Sequence, residues 1–320
     1  MFVSTFNNNN SINYIFLVII GLLLSIIPIL SEGTFVFKGD MPLYQLVEFV
    51  VPENIFLYKA LGAVVIIVLS LLFNNLITSY EMIKNTFLPG FFFLLLFFSN
   101  SMFVQLSPMH FSLLFLIMAL DEIFYLSKEE CKYDNIFNTG FYIAIASLFY
   151  FPAIFIFPIV FFGISYFRSD SAREIFISLS GLLIPYLFLL SYLFFVNKHL
   201  AFLLNIKENY FHVYIAFDKY NIYAWTVLIL LAASFFSFGS KFYEGNARVR
   251  KFRYLFYFLL LFTLVIQLFS KIKLSDYLFF AAAPIAVFYT EYFQGFKKKW
   301  VAELIVVLFL GLVVYNQIIT

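Results

Sequence analysis

The stretch TGFYIAIASLFYFPAIFIFPIVFFGISYF, Thr139 to Phe167, decides how this chain is folded. It carries no charge and runs for 29 residues, whereas one helical crossing of a hydrocarbon core takes about 20. Pro152 and Pro158 lie inside it. Proline removes an amide donor and disfavours helix in the residue before it, so the stretch predicts two short helices meeting near Pro152, over 139–151 and 152–167. The count matters because each crossing reverses the sense of everything downstream. Read as one helix, the stretch would move the basic residues 248–253 to the opposite side of the membrane.

The rest of the chain has the same character. Of 320 residues, 63% are hydrophobic, 12% are charged and 49 are Phe. A soluble domain of this size cannot hide so much apolar surface, so the solvent for most of it is a bilayer. The expected fold class is all-α, a polytopic membrane protein. Apolar runs predict helices over 12–30, 57–77, 87–99, 108–126, 139–151, 152–167, 174–196, 223–238, 254–270, 277–293 and 301–316, about eleven transmembrane helices. The first follows MFVSTFNNNN, which has no basic region, and ends without a small-residue cleavage site. It reads as a retained helix rather than a signal peptide. The Asn, Phe, Tyr, Ile and Lys bias points to an AT-rich bacterial genome.

Charge distribution tests that count, because cytoplasmic loops hold the excess of Lys and Arg. With the N-terminus inside, inner loops hold Lys84, Lys128, Lys132, Arg168, Arg173, Lys241, Arg248, Arg250, Lys251, Arg253 and Lys297 to Lys299, which is 13 cations. Outer loops hold six: Lys38, Lys198, Lys207, Lys219, Lys271 and Lys273. Lys59 lies in a helix end. Every arginine falls inside, which gives an N-in, C-out topology. The net charge of +2 implies no nucleic-acid partner. Cys131 stands alone, so no internal disulfide holds the loops.

Residues 1–320 read as one membrane domain, with 1–196 and its acidic loop 31–56, an outer loop 197–221, and C-terminal helices over 222–320. The first loop contains Glu32, Asp40, Glu48 and Glu53 against Lys38. Its segment DMPLYQLVEFVV predicts a surface helix with Asp40 as N-cap, Pro42 in the first turn, and Leu43, Leu46, Val47 and Val50 on one face. The second loop spaces Leu200, Leu203, Leu204, Phe211, Tyr214 and Phe217 at helical intervals among Lys207, Glu208, His212 and Lys219, and reads as interfacial. Gly-poor, aromatic-rich helices are expected to pack through large side chains rather than by close backbone approach.

Candidate chemistry is sparse. His110, His199 and His212 show no metal-ligand spacing, so no metal site is expected. No cofactor is indicated. Lys59, Asp121, Glu122, Glu174, Glu291 and Glu303 lie within two turns of helix ends and read as interfacial anchors, with Glu122 pairing with Lys128. Pro28, Pro185 and Pro284 read as kinks. At the outer face, Glu32 and Asp40 are placed to act as general base or to hold a divalent metal beside a phosphate leaving group. Lys38, Lys59, Lys198, His199, Lys207, Lys271 or Lys273 would meet the phosphate. The plainer alternatives are a helix cap for Asp40, a helix-end role for Glu32 and solvated lysines.

The helix pair LSPMHFSLLFLIMALDEIFYL and FNTGFYIAIASLFYFPAIFIFPIVFFGISYF follows a first span and an acidic outer loop. Over residues 12–196 this plan resembles the GT-C glycosyltransferases, membrane enzymes that use polyprenyl-phosphate sugars. The resemblance implies sugar transfer at the periplasmic face, with a polyprenyl-phosphate lipid as partner. The whole chain, with its Asn-rich start and RSDSAREIFISLSGLLIPY, also resembles uncharacterised inner-membrane proteins of flavobacteria and relatives. Some of these carry a carotene-cleaving monooxygenase label, which implies a histidine-rich iron site. Two further readings stand beside the enzyme. One is a scaffold that binds another membrane protein, with ARVRKFR as its cytoplasmic handle; the other is a carrier of hydrophobic solutes.

Overall fold

The computed structural model describes residues 6, 12–31, 39–83, 86–99, 101–128, 131–168, 171–210, 222–240, 246–268 and 274–319. Within them there is no strand, and all eleven apolar stretches are helical. Five helices are long and apolar enough to cross a membrane. They are α1 (Ile12–Leu30), α3 (Ile55–Ser79), α6 (Pro108–Tyr125), α9 (Ser171–Phe195) and α14 (Lys299–Ile319). Between them run α2 (Pro42–Val50), α4 (Leu88–Phe97), the single turn α5 (Ser101–Val104), α7 (Tyr133–Phe149), α8 (Pro158–Phe167), α10 (His199–Tyr210), α11 (Ile222–Ser240), α12 (Ala247–Leu268) and α13 (Leu274–Gln294).

The Thr139 to Phe167 stretch does break in two. Helix α7 ends at Phe149, Tyr150 is extended, and a 3-10 turn over Phe151–Ile156 carries Pro152 into α8, which opens on Pro158. The path reverses there. Phe149 at the end of α7 stacks on Phe111 at the start of α6, ring centroids 5.2 Å apart. Gly163 of α8 then lies against Ile123 at the far end of α6, and Arg168 donates to the Cys131 carbonyl at 3.2 Å. Residues 131 and 168 therefore sit at the same end of the bundle.

That end gathers the arginines. Arg173 lies over the Tyr133 ring, Arg248 donates to Ser127 Oγ at 2.9 Å, and Arg253 pairs with Glu291 at 3.0 Å. We call it the basic end, and the opposite one the loop end, since α2 and α10 lie there.

The core is built around α4. All ten of its residues are buried, a length of about 15 Å, or half a bilayer core. Phe91 stacks on Phe6 near the N-terminus, Phe93 on Phe73 of α3, and Phe92 on Phe293 of α13, while Phe97 meets Phe279 edge-on. The predicted span over 87–99 is thus a half-length helix. Beyond it the chain continues through α5 to Leu106, whose N–H donates to the Tyr58 carbonyl at 3.0 Å. Non-helical backbone at this depth persists only where protein satisfies it, and α14 supplies the donors. Asn316 Nδ2 donates to the Ser99 carbonyl at 2.6 Å, and Gln317 Nε2 donates to the carbonyls of Leu24, at 3.1 Å, and of Phe98.

Helices α7 and α9 cross by backbone contact, contrary to the expectation from glycine scarcity. A Cβ on Gly140 would lie 1.9 Å from the Ser178 carbonyl oxygen, and one on Gly181 would lie 2.2 Å from that of Phe137. Each glycine is what allows the other helix to approach.

Candidate functional site

The loop end holds the residues that the sequence offers for chemistry. Helix α2 forms where its pattern requires, but its N-cap is Met41, without a side-chain cap bond. The expected cap, Asp40, is exposed. Pro42 fills the first helical position and needs no donor there, so the helix starts without a carboxylate cap. Its inward residue is Tyr44, which is fully buried and donates to the Leu106 carbonyl at 3.1 Å, whereas Leu46 and Val50 face outward. Burial, reinforced by the neighbouring Tyr58 and Glu48, raises the Tyr44 pKa well above the usual phenol range. Glu48 instead accepts from the Gly39 N–H at 2.6 Å and so ties down the approach to α2.

Helix α10 packs beside α2. Met41, Leu148 and Ile206 form a small core joining α2, α7 and α10, flanked by Tyr186, Phe202 and Tyr210. Asn205 Nδ2 reaches the Asp40 backbone carbonyl at 3.4 Å. Burial raises the Tyr210 pKa, and the charge of Asp40 adds to the shift. Helices α2 and α10 therefore meet, with Asp40 at their junction. Among the described residues its carboxylate takes no hydrogen bond and no ion pair.

The proposed phosphate partners are placed as follows. Lys59 is buried and donates to Ser31 O at 2.8 Å and Ser31 Oγ at 2.9 Å, closing the C-terminal end of α1 as a helix-capping cation does. Lys198 is exposed. His199 tilts against Phe194, ring centroids 5.2 Å apart, with Nδ1 buried and unbonded among the described residues. Glu32 and Lys38 lie outside the described residues, as do Lys84, Phe211, His212, Tyr214, Phe217, Lys219, Lys241, Lys271 and Lys273.

His110 is sealed in the core. Its Nδ1 accepts from the Ser107 N–H at 3.1 Å, and Phe279 meets the ring edge-on. This is a capping arrangement for α6, and no group of three or more His, Cys, Asp or Glu among the described residues is placed to hold a metal. An iron site of the kind the monooxygenase label implies does not fit these residues.

The basic end contains most of the remaining polar structure. Tyr80 donates to Asp121 at 2.9 Å, and Glu122 accepts from Asn135 at 2.9 Å and Asn138 at 3.2 Å. Glu122 does not meet Lys128, which instead lies over the rings of Tyr80 and Tyr125. The two asparagines start the next helix, where they reach Glu122 while Lys128 is drawn to the aromatic faces. Arg168 pairs with the buried Glu174 at 3.1 Å. Sequence reasoning passed over Asn316 and Gln317. Their signal was two adjacent amides inside an apolar helix.

Between α6, α7, α8, α12 and α13 lies a small cavity lined by aliphatic and aromatic residues, among them Leu116, Ile143, Leu259 and Phe280. Such a lining offers nothing to a sugar or a phosphate. Fold and residues together define an all-α, multi-pass membrane protein with a tightly packed aromatic core. The chain belongs to a family of unknown function (DUF6427), whose model matches residues 26–320. No curated protein and no solved structure matches it.

Proposed function

We propose that this protein is a non-catalytic subunit of a bacterial cytoplasmic membrane complex, with its basic end in the cytoplasm, and that it holds a helix of another membrane protein against α9. The observation that carries the proposal is the outward strip of α9. Only 11% of the apolar window of α9 is buried, the least of the five long spans. Phe176, Ser180, Leu183, Leu187, Ser191 and Phe194 are all exposed and follow one another every three or four residues. Lipid alone is served by Phe and Leu. Two serines three turns apart gain nothing from hydrocarbon, whereas small residues let a second helix approach between larger ones. Ser180 returns its hydroxyl to the Ile177 carbonyl at 2.6 Å, so it forms a notch with no unsatisfied polar group. A photo-crosslinker at Leu183 or Leu187 in native membranes is expected to give a discrete protein adduct, and one at Leu22 or Leu23 of α1 is not. Lipid adducts alone at all four positions would reject the reading.

The α2–α10 junction favours a second reading, GT-C-like sugar transfer from a polyprenyl phosphate at the periplasmic face. Asp40 or Glu32 would act as base or metal ligand, and Lys38, Lys59, Lys198 or His199 would meet the phosphate. An exposed carboxylate with no partner among the described residues, where α2 and α10 meet, is what supports it. Replacing Asp40 and Glu32 together by Ala would then abolish transfer from a labelled polyprenyl-phosphate sugar at unchanged protein level. Unaltered transfer would exclude this reading.

A further inference from the structure

At the basic end, three cations surround one aromatic patch. Lys128, just beyond α6, lies 5.1 Å from the centre of the Tyr80 ring. Arg248, in the first turn of α12, lies 5.8 Å from that of Phe252 and donates to Ser127 Oγ at 2.9 Å. Lys251 lies 5.5 Å from the ring of Phe167, at the end of α8, and donates to the Tyr166 carbonyl. The rings form one surface, with Phe252 5.8 Å from Tyr80 and 5.4 Å from Phe167. All three cations rest on π-faces and neutral oxygens. Four carboxylates at this end are engaged elsewhere: Asp121 by Tyr80, Glu122 by Asn135 and Asn138, Glu174 by Arg168, and Glu291 by Arg253.

Three positive charges so placed repel one another. Arg248 also sits in the first turn of α12, where the helix dipole disfavours a cation. Arg253 pairs with Glu291, and among the described residues no carboxylate pairs with Lys128, Arg248 or Lys251. Nearby, Tyr254 is exposed and lies 5.8 Å from Tyr166. Such tyrosines mark the depth of the headgroups.

From this arrangement we infer that Lys128, Arg248 and Lys251 bind the phosphate of an anionic phospholipid headgroup in the leaflet at the basic end. The aromatic floor keeps the three side chains in place, and a phosphate oxygen replaces the neutral oxygens that Arg248 and Lys251 now contact. The lipid source follows from the position of the patch: it opens at headgroup depth beside apolar helices, so an acyl chain continues from the phosphate into the bilayer. This inference is independent of the reading of α9.

The test uses the full chain in detergent, with lipid retention read by native mass spectrometry. Phosphatidylglycerol is expected to be retained by the wild type in preference to phosphatidylcholine. At about fivefold per cation, Arg248→Ala with Lys251→Ala is expected to weaken phosphatidylglycerol retention roughly 30-fold. The pair Lys298→Ala with Lys299→Ala, in another basic loop, is expected to leave it nearly unchanged. Should the first double variant fail to fold, Lys128→Gln, outside any helix, carries the test with an expected loss of about fivefold. Equal retention of phosphatidylcholine, unchanged retention in the variants, or complete displacement by inorganic phosphate would each overturn the inference, the last in favour of a soluble phosphate ligand.

Discussion

At Gly140 and Gly181 a single methyl group has nowhere to go. Both would place it on the backbone of the facing helix, which cannot turn aside as a side chain can. Gly140→Ala and Gly181→Ala are each expected to cost ~1–3 kcal/mol, read as a lowered thermal unfolding midpoint in detergent. Gly311 provides the contrast, with nothing within 4 Å of its added Cβ. There Gly311→Ala is expected to stabilise α14 by up to about 1 kcal/mol through helix propensity alone. The close crossing was partly legible. Gly140 and Ala144 are small residues four apart, as are packing pairs in membrane helices. A count of glycines over the whole chain concealed that spacing. Charged residues were harder to read, because a cation on an aromatic face leaves no trace in sequence: Glu122 and Lys128 lie six residues apart at the end of α6 and choose other partners.

Among the elements, helices were legible wherever an apolar run met a capping residue or a proline. The start of α3 is an example, with Asn54 accepting from the Phe56 N–H at 2.9 Å. The break before Pro152 is another. Helix α2 shows the limit of that logic, since Asp40 has the chemistry of a cap but stands one residue too early to serve. Helix α4 shows a different limit. Its run is visibly too short to span, but nothing in it names the groups that complete it, which are 217 positions away, where Asn316 meets Ser99. Asn316→Leu and Gln317→Leu preserve volume and remove the donors. Each is expected to cost ~1–3 kcal/mol in the same unfolding assay, the penalty for leaving buried carbonyls unpaired. Unchanged midpoints would mean that water reaches the end of α4.

For the molecule as a whole, the positive-inside pattern carries the proposed topology. It rests on loop charges that need no tertiary contact to read. The proposed orientation makes a labelling prediction. In a background lacking the native thiol, cysteine at Lys298 is expected to react only from the cytoplasmic side, and cysteine at Lys207 only from the outside. The opposite pattern would invert the topology. The wild-type chain, which keeps Cys131, serves as a separate control, since burial raises that thiol's pKa. A raised pKa leaves little thiolate at neutral pH, so labelling of Cys131 is expected to be slow at pH 7 and to accelerate as the pH rises. The candidate site was less legible than the fold. Where α2 and α10 meet depends on Met41, Leu148 and Ile206 packing together, and nothing in their separate contexts announces that contact.

The enclosure of α4 also imposes a schedule on biosynthesis. Its apolar run, Phe87 to Phe98, has 12 residues, too few to settle across a bilayer unaided. The rings of Phe279, Tyr289 and Phe293 and the amide of Asn316 leave the ribosome long after it. With 217 positions between Ser99 and Asn316, elongation takes on the order of ten to forty seconds. Throughout that interval the segment lacks the neighbours that bury it. A nascent chain stalled before Phe279 is therefore a client for chaperones and membrane proteases, and truncation from the C-terminus removes the centre of the protein along with its edge.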